Sequence, residues 1–165
     1  MRTLRTFACV AAAFVAGGLA VSSDANAQSA FGDPLFAVLV GGNECVVPGP
    51  VCRKGDLDGI GSATIIFPTA PGKPNTTVCW GITVDNLTRP TAAHIHRGPA
   101  GLNGGVVVTL LPPGAPGAGN PGASSGCTAT VPAAVVAAII KDPTSFYVNI
   151  HTGQFPDGAI RGQLH

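Results

Sequence analysis

Apolar and polar residues alternate in short runs along most of this chain. In residues 76–84, TTVCWGITV, Val78, Trp80, Ile82 and Val84 fall on one side, and Thr77, Cys79, Gly81 and Thr83 on the other. That period of two is the mark of a strand buried on one face. Similar runs rich in Val, Ile and Thr predict strands over 34–42, 61–67, 92–97, 105–111, 126–131, 145–152 and 158–165. Turn sequences separate them: KGDLDGIG, GPAGLNG and GQFPDG. The last two make hairpins of the strands they join.

One segment departs from this period. PAAVVAAIIKD, residues 132–142, opens on Pro132 and stops before Pro143. Proline is tolerated in a first helical turn and ends a helix it follows, so a short helix packed on the sheet is expected here. PPGAPGAGNPGASSG, residues 112–126, reads as an exposed loop. The elements together predict an all-β fold, a Greek-key or immunoglobulin-like β-sandwich or a barrel, with one short helix.

The first residues stand outside that fold. Arg2 and Arg5 precede an apolar run from Phe7 to Val21, and Ala25-Asn26-Ala27 supplies a small-x-small cleavage pattern. This reads as a signal peptide over 1–27, with a single domain over 28–165 and a secreted or periplasmic location. The run is short for a membrane span, which takes about 20 residues, and the mature part has no other candidate span. Of 9 basic and 8 acidic residues, the leader holds Arg2, Arg5 and Asp24, so the mature part is formally neutral. Such a balance excludes the basic footprint of a nucleic-acid binder. Four cysteines remain beyond the leader. No C-x-x-C pair is present, and an even count in an exported chain predicts disulfides. The Pro-Gly-Pro turn between Cys45 and Cys52 pairs those two locally, leaving Cys79–Cys127 to tie distant strands.

AAHIHRGPAGLNGGVVVTL followed by FYVNIHTGQFPDGAIRGQL resembles the CHRD domain family, whose pattern is H-x-H-x-G-x-x-G-x-x-G, a valine-rich strand, Y-V-N-x-H-T and I-R-G-Q. The matching residues are His94, His96, Gly98, Gly101 and Gly104, then Tyr147, Val148, Asn149, His151 and Thr152, then Ile160, Arg161, Gly162 and Gln163. GGNECVVPGP resembles the family's G-x-N-E-x-x-P stretch. Where many members have an acidic residue before I-R-G-Q, this chain has Ala159. The resemblance implies an exported module of this fold; the partner expected for it is another extracytoplasmic protein or an envelope component.

The strand period sharpens the chemistry. His94 and His96 share a face, with Ile95 opposite; Tyr147, Asn149 and His151 share a face, with Val148 and Ile150 opposite. If these strands lie side by side with Ile95 and Ile150 toward the core, three imidazoles converge. Three histidines suffice to hold copper or zinc with a fourth position open. The competing reading is architectural: His94 and His96 brace the Gly98–Gly105 loop on its carbonyls, with Arg161 and Asn149 as loop-bracing or ligand-contacting groups. Catalytic residues are not evident: there is no carboxylate pair for hydrolysis, and the cysteines are expected to be paired. The expected function is a non-catalytic binding or structural module; the alternative is a metal-binding protein using His94, His96 and His151, with redox activity within its reach.

Overall fold

The computed structural model describes residues 32–44, 54–69, 72, 74–114 and 122–165. The leader expected over 1–27 and the pair expected between Cys45 and Cys52 lie outside the described residues. Among the described residues eight strands occur in chain order: β1 (Leu35–Val40), β2 (Ile60–Ile66), β3 (Val78–Asp85), β4 (Pro90–Arg97), β5 (Val106–Leu110), β6 (Gly122–Thr128), β7 (Phe146–Thr152) and β8 (Ile160–Gln163). One helix, α1 (Ala133–Lys141), separates β6 from β7. Among the described residues, no helix is long and apolar enough to cross a membrane.

All eight strands join one antiparallel sheet in the order β5-β4-β7-β8-β1-β2-β3-β6. Of the architectures open at the start, the chain adopts the single sheet curled nearly closed into a barrel. Its two end strands approach each other where the Ser124 hydroxyl donates to the Leu111 carbonyl at 2.7 Å and Gly114 N–H donates to Ala123 O at 3.4 Å. Inside, the apolar rows meet: Leu39, Ile65, Ile82, Ile95, Val148 and Ile150 are all nearly or wholly buried. Each such side chain contributes about 2 kcal/mol by leaving water. Helix α1 adds Val136 and Ile139 to the same core.

Two expectations shift in register. Strand β6 begins at Gly122, inside the stretch read as loop, because β3 offers it a full ladder from Val84↔Gly122 to Val78↔Thr128. Backbone pairing decides the conformation there, with little help from side chains. The helix runs Ala133–Lys141, with Pro132 in the capping position and Asp142 closing it. Cys79 and Cys127 lie directly opposite each other in that β3–β6 ladder and form a disulfide.

The β4–β7 pairing positions the site. Its register sets His94 against Asn149, Ile95 against Val148 and His96 against Tyr147, and β8 adds Arg161 beside Asn149 and Gln163 beside Tyr147. With Ile95 and Ile150 wholly buried inside the barrel, the polar partners of all three strands are carried together on its outer face.

Candidate functional site

That outer face is roofed. Loop 98–105 folds back over β4, β7 and β8, and the polar side chains beneath it hold it down. Arg161, 1% exposed, donates to Asn103 Oδ1 at 3.2 Å and to the carbonyls of Leu102 and Pro99 at 3.1 and 3.5 Å. The Gln163 amide donates to the carbonyls of Gly98 and Thr144. The Arg161 guanidinium lies 3.5 Å over the Tyr147 ring, a cation–π contact. The other face of Tyr147 stacks on His96, centroids 4.9 Å apart and planes 6° from parallel. Tyr147 is thus sandwiched between a cation and an imidazole.

Gly104 is the point where loop and histidine meet. Its carbonyl lies 2.9 Å from His96 Nδ1, and its N–H donates to the Tyr147 hydroxyl at 3.2 Å. A side chain here would collide with the Arg97 carbonyl, so only glycine lets the loop come this close.

The tautomers follow from these contacts. A carbonyl oxygen only accepts, so His96 Nδ1 carries the hydrogen and Nε2 carries the lone pair. His151 repeats the arrangement: its Nδ1 lies 2.9 Å from the Pro156 carbonyl, leaving Nε2 as the acceptor. His151 Nε2 is 3.2 Å from His94 Nδ1. His96 Nε2 is buried with no hydrogen-bond partner. One nitrogen from each of the three rings lies within 4.8 Å of the others. Metal–nitrogen bonds of about 2.0–2.1 Å put tetrahedral ligand nitrogens about 3.4 Å apart. The His94–His151 pair already has that spacing.

Burial favours the neutral form of His94 and His96. The His94 pKa is lowered to about 4, first by burial, then by His151 and His96. His96 is lowered too, by burial above all, with the bond to Gly104 opposing and His151 and Arg161 reinforcing. A ring that resists protonation keeps its lone pair for a metal.

Glu44 is the residue that strand periodicity could not place here. It is 1% exposed and accepts from the Asn149 amide at 3.5 Å. Burial pushes its pKa up to about 7, against the pull of Arg161 and Asn149. It packs on Gly158, whose φ of +143° and lack of a side chain make room: a Cβ there would lie 2.6 Å from Glu44 Oε2. Asn149 accordingly reaches Glu44, not loop 98–105. Arg161 is the loop brace, and His96 braces the loop with one nitrogen while offering the other. The terminal His165 stands apart from the cluster; its backbone pairs with Phe36 in both directions.

The roofed face is built from the H-x-H, Y-V-N-x-H-T and I-R-G-Q segments at once, and a family model for the CHRD domain matches residues 35–164, from the start of β1 through the end of β8. The chain belongs to the CHRD domain family. No curated protein and no solved structure shows significant similarity to it. In this CHRD domain, the family's histidine, tyrosine and arginine motifs form one contiguous layer on three adjacent strands.

Proposed function

We propose that this CHRD domain is an exported, non-catalytic binding module whose ligand is a single copper or zinc ion held by His94, His96 and His151. One observation carries the reading: His96 Nε2 is buried and unpartnered in a ring that, with His94 and His151, brings three nitrogens within 4.8 Å of one another. Leaving a buried acceptor unbonded costs about 1–3 kcal/mol, and a metal would relieve it. Carbonyls at the far nitrogens of His96 and His151 supply the outer partners that metal-bound histidines usually have. Export is supported by the leader-like start of the chain and by the Cys79–Cys127 disulfide.

The test is histidine-ring NMR of the full chain during zinc titration. Saturable shifts at His94, His96 and His151, with His165 unmoved, support the proposal. Equal small shifts at all four rings would refute it.

A second reading, contact with another extracytoplasmic protein or an envelope component, is favoured by the apolar outer face of β1 and β2. Phe36, Val38 and Ile60 are about half exposed or more there. Single exposed apolar residues are ordinary, but adjacent ones suit a partner surface.

A further inference from the structure

The donor set has a consequence in charge. Three neutral imidazoles bring no negative charge to a metal, and no carboxylate or thiol of the described residues joins the group. The cation packed behind it is Arg161, separated from His96 only by the Tyr147 ring. The buried carboxylate on this face, Glu44, lies on the Asn149 side and is bonded there. A divalent ion at the three histidines would therefore keep its full charge in a partly desolvated place, with Arg161, offset only in part by Glu44, behind it. Uncompensated charge of that kind is costly.

Access is one-sided. Loop 98–105 seals His96, which is 9% exposed, whereas His94 and His151 are only partly buried. A fourth ligand enters past those two rings, from solvent.

We infer that the metal-loaded site takes a small free anion of the carboxylate or phosphate kind as its fourth ligand. This rests on the metal-binding reading above. The anion offsets charge that the protein's own ligands leave standing. Metal-free protein lacks the cation that holds it and does not bind it there. The site is then a receptor for an anion, conditional on the metal.

The test uses the full chain with its disulfides intact, loaded with copper(II) and titrated with azide, then with acetate or its neutral counterpart acetamide as competitor. The expected result is a new charge-transfer absorption saturating at one azide per copper, absent from metal-free protein, and displaced by acetate far better than by acetamide. Stoichiometric copper with no azide-dependent band would overturn the inference and leave the metal site standing. Displacement by acetamide as readily as by acetate would overturn the preference for charge. Failure to bind copper stoichiometrically would overturn the metal reading itself.

Discussion

His94 Nδ1 and His151 Nε2 lie 3.2 Å apart although 57 residues separate them. His151 Nε2 is an acceptor because its other nitrogen donates to Pro156, so in the metal-free protein His94 donates its Nδ1 hydrogen across the gap. A metal held by the two rings would take the place of that hydrogen, and His94 would then carry its proton on Nε2. The two rings are thus held at ligand spacing by a bond that a metal can replace.

The first prediction concerns protonation. With the folded His94 pKa near 4 against an ordinary 6.5, the unfolded chain binds more protons between those values. Stability of the metal-free protein is then full above pH 6.5 and falls as pH drops toward 4. Histidine NMR should show His94 titrating near pH 4 and His96 below 6.5. Titration of both rings at or above 6.5 would contradict the packing described.

Glu44 has the opposite sign. Its folded pKa of about 7 exceeds the ordinary 4.5, so the folded state holds a proton that the unfolded state gives up. Its contribution is full below pH 4.5 and lost as pH rises through 7. Glu44→Gln should remove that loss, gaining on the order of 3 kcal/mol at pH 8 relative to its effect at pH 4. Urea unfolding at the two pH values measures it; an equal effect at both would show that Glu44 ionises normally.

The Tyr147 hydroxyl acts through His96. Tyr147→Phe keeps the stacked ring but removes the acceptor for Gly104 N–H, at a cost of about 1–3 kcal/mol. Because Gly104 also sets the His96 tautomer, metal affinity should fall about 10–100-fold, as for other outer-partner losses. Calorimetric titration reads the affinity and thermal unfolding the stability. A stability loss with unchanged affinity would make the clamp purely architectural.

The Cys79–Cys127 bridge closes a 48-residue separation. Replacing both cysteines by serine should cost about 2–4 kcal/mol by freeing the unfolded chain. The three histidines, on other strands, should still bind metal. Denaturant unfolding and zinc titration of the same variant check both statements.

Much of this arrangement was legible in the residues. Period two in AAHIHR and FYVNIHT places Ile95 and Ile150 inside, and once they are inside, His94, His96 and His151 share the other face. Arg161 follows from the same alternation. Other parts had no local signature. Strand β6 starts with Gly-Ala-Ser-Ser, which has no apolar period, and is drawn into the sheet by pairing with β3. Glu44 reaches Asn149 from 105 residues away through a turn, where periodicity says nothing about direction. The tautomers depend on the carbonyls of Gly104 and Pro156, which any residue would carry; only the loop path puts them there.

Metal content of the purified chain is the most direct measure of the central claim. The disulfide-intact protein would be dialysed against trace copper and zinc and weighed by native mass spectrometry, beside His94→Ala, His96→Ala and His151→Ala. One metal ion per chain is expected, lost in each variant, with His94→Ala and His151→Ala still folded. An unmetallated wild-type chain, with the variants altered only in stability, would contradict it and leave the histidines as braces of the fold.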